Sequence, residues 1–225
     1  LGDVYKRQGF LRSSFLKKPK EHTSLRIYVD SDLFLTWGDT IAEHLQILKK
    51  ISAETVLALP KIIRLRDSRY LKLLEKSIRD NLEAVDGFLI SSLEHVGLLQ
   101  QWDFLHSKKR YGDHGLYLWN CRSIEFWTDY LDGFCLPLEL NYAEQRQLVN
   151  GILPAEKFLY GRIPMMVTAN CVTKTTDHCR REEGFGITEL TDRYHKVFPV
   201  IRNCTHCYNI IYNSVPVSYT HLRAH

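Results

Sequence analysis

The sequence predicts an α/β protein, a partial (β/α)8 barrel of about six βα units followed by a cysteine-rich C-terminal segment. Short apolar runs rich in β-branched residues alternate with single amphipathic stretches, which is typical of βα units and a parallel sheet. None of the predicted strands is followed by the glycine-rich loop that binds dinucleotides, and this favours a barrel. An open doubly wound sheet is the alternative.

The predicted elements follow one another in a regular order. The first strand is Leu25–Val29, where polar and apolar residues alternate. The second, Val56–Pro60, is an apolar run of the kind that strands buried on both faces show. A helix over 68–84 has Ser68 as N-cap and leucine or isoleucine at helical spacing. The other strands are predicted at 87–90, 115–119, 133–138 and 157–167, and the other helices at 38–53, 92–102, 122–131 and 142–150. Since a closed barrel takes eight strands, the missing ones are expected upstream of residue 1.

Length and charge limit the classes of function. A chain of 225 residues forms one large domain, or one domain with an appendage. The net charge is +4, but residues 1–20 carry six basic side chains against Asp3, a balance of +5. The remainder is therefore at −1, and the body of the chain offers no global electrostatic argument for binding nucleic acid.

The two ends of the chain match no pattern in their neighbours. Leu1–Gln8 and Val217–His225 resemble translated sequencing adapters, so we expect a fragment. The predicted organisation is a basic lead of residues 1–20, disordered or artefactual, a βα-barrel portion over 21–168, a metal-binding segment over 169–216 and an artefactual tail over 217–225.

Cysteine usage and hydropathy predict a cytoplasmic location. No apolar run approaches the roughly 18 residues that a membrane-spanning helix needs, and no signal peptide is recognisable. We therefore expect no membrane association. In the reducing cytosol, six cysteines favour metal ligation over disulfides.

Four of the six cysteines, Cys171, Cys179, Cys204 and Cys207, lie in the last quarter of the chain. Four thiolates from two loops form a ligand set for zinc or for an iron–sulfur cluster. Cys204 and Cys207 have the two-residue spacing of a metal half-site, whereas seven residues separate the other pair. Scattered buried or free thiols are the alternative. His178 and His206 lie next to these cysteines and are either replacement ligands or partners of a sulfur, or ordinary loop histidines.

The barrel rule places function on the loops that follow the strands. Polar candidates there are Asn120, Glu139 and Arg162, which we predict to line the barrel mouth and to contact a substrate. For Asn120 the alternative is the N-cap of the next helix. Glu139 and Arg162 could pair for structural reasons or hold an anionic substrate.

Several motifs carry a resemblance to a known family. Glu156, Phe158 and Gly161 match an opening Glu-x-Phe-x-x-Gly pattern, and Cys171 follows that glycine by ten residues. The later matching runs are Leu190–Arg193, Phe198–Val200, the Cys204-x2-Cys207 pair and Asn209–Ser214. Over about residues 25–216 the chain resembles the collagenase-like peptidases, family thirty-two of the peptidases of unknown mechanism.

The chain also departs from the family pattern. Many members have a small residue directly after the glycine and a further cysteine three residues after it, where this chain has Arg162 and Pro164. Tyr160 replaces the histidine that is common before the glycine. The resemblance therefore leaves the type of metal centre open.

The resemblance implies one of two activities. Some family members are described as proteases that degrade collagen, which implies a peptidase. Others hydroxylate RNA bases or quinone precursors without oxygen and bind an iron–sulfur cluster through cysteines, which implies a [4Fe–4S] cluster here, with zinc as the alternative. The substrate is accordingly a peptide, an RNA or a small aromatic molecule, and the missing upstream part or a partner protein is expected to complete the fold. An inactive fragment or a binding module is the third possibility.

The residues themselves do not decide between these activities. The chain contains neither a His-Glu-x-x-His helix nor a Gly-x-Ser-x-Gly elbow. Cysteine–histidine catalysis through Cys171 or Cys207 with His178 or His206 has only weak support, since these pairs are adjacent in sequence.

Overall fold

The structure is a computed structural model that describes residues 25–51, 53–104, 106–149, 151–176, 178–179 and 184–218. The described chain divides into two compact units, the first running to Phe158 and the second starting at Leu159. The predicted basic lead lies outside the described residues, as does the tail beyond Ser218.

The first unit is a parallel sheet whose strands alternate with helices. The strands are β1 (Leu25–Asp30), β2 (Ala53–Ala58), β3 (Gly87–Ile90), β4 (Lys109–Gly112), β5 (Gly133–Cys135) and β6 (Ala155–Glu156). The helices are α1 (Ser31–Thr36), α2 (Ile41–Lys50), α3 (Ser68–Asp80), α4 (Leu93–Gln101), α5 (Cys121–Trp127) and α6 (Tyr142–Leu148). The strands lie in sequence order and all pair in parallel. This confirms the α/β prediction, and it contradicts a doubly wound sheet, in which the strand order would reverse.

Two of the six strand predictions are wrong. The fourth strand is Lys109–Gly112, and the predicted segment 115–119 instead begins in a 3₁₀ turn, His114–Leu116. Tyr117 then takes a left-handed backbone conformation with φ of 53°, which interrupts an extended run. The sixth strand is only Ala155–Glu156, since the predicted run 157–167 supplies short strands to the second unit.

One face of the parallel sheet is apolar and packs against the helices. Alternate residues of a strand share a face, and the buried members of this face are Val29, Leu57, Phe88, Ile90 and Phe134. The helices contribute Leu45, Leu74, Ile78, Leu99 and Ile124 to the same core. Their burial supplies the main driving force for folding this unit.

The opposite face carries most of the polar side chains of the sheet, together with a few apolar ones such as Val56 and Leu89. By alternation and strand register it carries Arg26, Tyr28, Asp30, Glu54, Lys109, Tyr111, Cys135 and Glu156. In a flat sheet, β1 and β6 would lie about 24 Å apart, five spacings of about 4.8 Å. Arg26 of β1 nevertheless donates a hydrogen bond to Glu156 of β6, and the Tyr28 hydroxyl donates to the same carboxylate at 2.7 Å. The sheet is therefore curled, and its polar face is the concave one.

The second unit is antiparallel. Its strands are β7 (Tyr160–Gly161), β8 (Pro164–Thr168), β9 (Phe185–Thr191), β10 (Val197–Asn203), β11 (Tyr208–Tyr212) and β12 (Val217–Ser218), with one short helix, α7 (Val172–Thr176). Four strands form a sheet in the order β8-β11-β10-β9, and β7 pairs with β12. Pairing thus draws β7 and β8 into this unit, ahead of the predicted boundary at 168, and β12 uses the first two residues of the predicted tail.

Across both units, none of the described helices is long and apolar enough to cross a membrane.

Candidate functional site at the carboxyl edge of the parallel sheet

Asn120, a predicted site residue, caps a helix. Its side-chain oxygen accepts a hydrogen bond from the Ser123 N–H at 2.9 Å, and the Ser123 hydroxyl donates to the Asn120 carbonyl at 2.7 Å. Asn120 is exposed and precedes α5 directly. The capping alternative therefore accounts for its place in the chain.

Glu139 and Arg162 belong to different units. Glu139 lies in an exposed turn beyond β5, and within the described part of the chain it forms no ion pair. Arg162 donates from one guanidinium nitrogen to the carbonyls of Asn213 and Ser214, both at 2.6 Å. Its charge is thus met by the backbone ahead of β12, in a local structural role.

The four C-terminal cysteines lie around one end of the four-stranded antiparallel sheet. At this end β8 and β10 finish and β9 and β11 begin. Cys204 and Cys207 lie in the turn from β10 to β11, where the Cys204 N–H donates to the Gly184 carbonyl ahead of β9 at 2.8 Å. Cys171 follows Asn170, whose carbonyl accepts a 2.6 Å hydrogen bond from Asn209 of β11. Cys179 lies in the connection from α7 to β9.

The chemistry of these donors suits a thiophilic metal, but a coordination sphere is not formed. Among the residues that the structure describes, no three His, Cys, Asp or Glu side chains form a group that could hold a metal ion. His206 is buried. Its backbone N–H donates to Asn203 Oδ1 at 2.9 Å, and its ring stacks on the Tyr208 ring. Topology thus gathers the cysteines at one end of the sheet, without placing their sulfurs around one point.

A second group of chemically active side chains lies at the carboxyl edge, the end of the first unit's sheet where the parallel strands finish. Asp113 directly follows β4, and its Oδ1 lies 2.7 Å from Nδ1 of His114. Lys61, from the segment after β2, lies 3.3 Å from Oδ2 of Asp113. Burial disfavours the charged carboxylate, but His114 and Lys61 outweigh it and hold the pKa of Asp113 well below its usual range.

Asp30 occupies the same edge at the end of β1. Its side chain caps α1 by accepting the Asp32 N–H at 2.9 Å. Burial, reinforced by the charge of Asp32, raises the pKa of Asp30 to about 6, while nearby Lys61 opposes the rise. One carboxyl of this edge is therefore held ionised and another lies close to the protonated form, the division of roles that acid–base sites use.

Cys135 of β5 is not an activated nucleophile. Burial raises the pKa of its thiol to about 12, and the negative charge of Asp113 adds to the rise. A thiol acts as a nucleophile through its thiolate. Cys135 is therefore a neutral thiol at physiological pH.

His95 shares this edge but has no free ring nitrogen. Nδ1 accepts the Ser91 N–H at 3.1 Å, and Nε2 lies 2.9 Å from the Pro60 carbonyl. The side chain is fully buried, and this burial lowers its pKa to about 4. His95 joins the ends of β2 and β3 and is structural.

A polar network underlies the edge on the concave face. Arg26 Nε donates to Glu54 at 2.7 Å, and its guanidinium stacks 3.5 Å above the Tyr111 ring. Glu54 also accepts from the Tyr111 hydroxyl at 2.8 Å and pairs with Lys109 at 3.0 Å. Barrel interiors are usually filled by branched apolar side chains, so this face is suited to polar ligands.

A depression of about 440 Å³ lies at the opposite, amino edge of the sheet, lined by His106–Arg110 with Asp86 and Asp132. Several of its charged side chains are engaged locally, since Arg110 Nε donates to Asp132 at 3.2 Å and Asp86 accepts the Thr55 N–H at 2.8 Å. In βα folds this edge contributes stability rather than chemistry.

The sequence contained a signal for part of the carboxyl-edge group. Asp30 and Asp32 directly follow a correctly predicted strand. Asp113 and His114 were not identified as strand-end residues, because the fourth strand was predicted after them, at 115–119, whereas it lies before them, at Lys109–Gly112.

Comparisons of this chain with family models, with curated proteins and with solved structures gave no match.

Proposed function

We propose that this chain is a collagenase-like peptidase family protein, a partial (β/α)8 barrel that hydrolyses peptide bonds at its carboxyl edge and carries a cysteine-rich metal-binding segment. The observation that carries the proposal is the Asp113, His114 and Lys61 group at the ends of parallel strands. In βα barrels this edge is where catalytic residues are found. The sequence resemblance provides the family.

Peptide hydrolysis requires a nucleophile, a proton acceptor and a group that stabilises negative charge on the carbonyl oxygen. Cys135 is a neutral thiol, so water is the nucleophile that suits this edge. His114, which Asp113 contacts at 2.7 Å, supplies a proton-accepting group, and Lys61 supplies positive charge 3.3 Å from Oδ2 of Asp113.

The second unit would hold the metal centre. Cys171, Cys179, Cys204 and Cys207 are its proposed ligands, with a [4Fe–4S] cluster as the expected centre and zinc as the alternative. Support comes from their location around one end of the antiparallel sheet. When bound, a cluster would supply electron transfer, and zinc would supply structural stability. A cytoplasmic location would keep these thiols reduced.

A second candidate is oxygen-independent hydroxylation of an RNA base or a quinone precursor. The gathering of four cysteines at one sheet end favours it, because a redox cluster has no necessary role in peptide hydrolysis. The polar side chains on the concave face of the first unit, such as Glu54 and Lys109, would offer such a ring hydrogen bonds.

Replacing Cys204 and Cys207 by serine in the full chain separates the two candidates, with Cys121→Ser, from α5 in the first unit, as the matched control. Each protein is reconstituted with iron and sulfide without oxygen and assayed for metal content, for absorption at about 400 nm and for degradation of labelled gelatin. Gelatin degradation by the wild type that persists after the cluster is lost supports the peptidase with a structural metal centre.

Three other outcomes contradict parts of the proposal. A wild type that leaves gelatin intact but forms a hydroxylated RNA or quinone product, which the double variant does not form, overturns the peptidase in favour of the second candidate. One equivalent of zinc with no band at about 400 nm overturns the cluster. A wild type that binds neither metal overturns the metal centre.

A further inference from the structure

Asp113 holds His114 through one ring nitrogen. Asp113 Oδ1 lies 2.7 Å from Nδ1 of His114 and also accepts the His114 backbone N–H at 2.9 Å. The carboxylate is ionised and can only accept hydrogen bonds, so Nδ1 must carry the proton. In the neutral ring the other nitrogen, Nε2, then has a lone pair.

The lone pair on Nε2 is available to a ligand. Within the described part of the chain, Nε2 of His114 has no hydrogen-bond partner, and the side chain is 23% exposed. His95 at the same edge provides the contrast, because both of its ring nitrogens are engaged and its side chain is fully buried. At this edge, therefore, His114 has a ring nitrogen that can accept a hydrogen bond from a ligand, and His95 has none.

Lys61 strengthens this arrangement by occupying the second oxygen of Asp113. The 3.3 Å contact between Lys61 Nζ and Oδ2 restrains rotation of the carboxylate away from the imidazole. The Asp113 N–H donates to the Ile90 carbonyl at 2.8 Å, which extends the β3–β4 pairing and fixes the backbone. A dyad anchored to two strands and a lysine holds its geometry better than one on an unsupported loop.

We infer that His114 is the general base of this protein, with Nε2 as the proton acceptor, and that Asp113 is the positioning residue that fixes its tautomer. The inference deepens the proposed function and rests on it for the reaction class, hydrolysis of an amide bond in a peptide. Nε2 takes a proton from a bound water as the water oxygen bonds to the amide carbon. The imidazolium then returns that proton to the nitrogen as the C–N bond breaks, so protons and charge balance without an oxidant or reductant.

The first test is the protonation pattern of the ring in the full chain. Long-range ¹H–¹⁵N spectra at pH 8 should show His114 with a protonated Nδ1 and an unprotonated Nε2. In Asp113→Asn, whose amide can also donate to the ring, a substantial share of the opposite tautomer should appear. A wild-type ring protonated at Nε2, or a tautomer unchanged in D113N, overturns the inference whatever the activity.

The second test is the rate of cleavage of fluorescein-labelled gelatin. His114→Gln and Asp113→Asn should each lower kcat/KM at least about 100-fold, while His106→Gln, a substitution in an exposed turn, should match the wild type. Far-UV circular dichroism and melting curves establish that each variant is folded. Folded H114Q within threefold of the wild type overturns the inference and leaves the proposed peptidase intact.

The two proposals can fail separately. A wild type that cleaves no gelatin removes the proposed function, and with it the assignment of His114 as the base of amide hydrolysis. The spectra would in that case still decide whether Asp113 fixes the tautomer, which is the structural half of the inference.

Discussion

Acidification should destabilise the first unit through His95. This side chain is fully buried and bridges the Ser91 N–H and the Pro60 carbonyl. Burial lowers its pKa to about 4 from an ordinary value of 6.5. The unfolded chain therefore binds a proton at this residue below about pH 6.5, whereas the folded chain does not bind one until about pH 4.

The sign and size of the effect follow from linkage. Because the unfolded state binds more protons over this range, the free energy of unfolding falls as the pH falls from about 6.5 to about 4 and levels off below. A factor of ten in proton affinity is worth about 1.4 kcal/mol, so the loss is about 3 kcal/mol. Asp30 has the opposite sign, since its pKa is raised to about 6 in the folded state. The stability it contributes is present below about pH 3.8 and is lost as the pH rises through 6.

The assay is urea unfolding of the wild type and of His95→Gln at intervals between pH 4 and pH 7.5. Glutamine can keep one donor and one acceptor but does not titrate. The difference in unfolding free energy between the two proteins should shrink by about 3 kcal/mol from pH 7 to pH 4, and the contribution of Asp30 largely cancels in that difference. His106→Gln, in an exposed turn, is the control. Wild-type and H95Q curves with a constant separation over the whole range would refute the reasoning.

Two further predictions concern the Asn120 side chain, which caps α5, and an ion pair on the concave face. Asn120→Ala should lower stability by about 1 kcal/mol while Asn120→Asp retains it, because the side chain caps α5; a folded N120D without gelatin cleavage would instead support a site role. Arg26→Met and Glu156→Gln should show a coupling energy in a double-mutant cycle, because these side chains link β1 to β6. We expect about 1–2 kcal/mol, a value that already allows for the partial exposure of both side chains to solvent. Additive effects in urea unfolding would mean that this contact does not hold the sheet curled.

Local sequence patterns were sufficient to predict many helices and strands of the first unit. Leu25–Asp30 alternates, Gly87–Ile90 is a short apolar run between helical stretches, and the helix predicted over 68–84 is present as α3. The predicted cap is wrong by one residue, since Asp67 is the N-cap and Ser68 is the first residue of the helix. These signals lie within a few residues of one another, so the sequence reveals them without knowledge of the fold. The alternation of strands and helices, and hence the α/β class, followed from them.

The strands that could not be predicted from the sequence, β4 and β6, depend on contacts with residues far away along the chain. Lys109–Gly112 reads as a charged turn, yet it forms β4 because Lys109 pairs with Glu54 and Arg110 with Asp132, and these partners compensate its charges. Ala155–Glu156 is too short to be recognised as a strand and becomes one only by pairing with β5.

The candidate site divides in the same way. The sequence by itself determined which residue types were available: acids after the first strand, and four cysteines near the C-terminus. Only the tertiary structure decided that Asn120 caps a helix, that Arg162 binds backbone carbonyls, and that Asp113 faces Lys61 from a strand two places away in the sheet. The physical reason is that register and curvature arise from pairing between segments far apart in sequence, such as Arg26 with Glu156, and this pairing selects the side chains that meet at one edge.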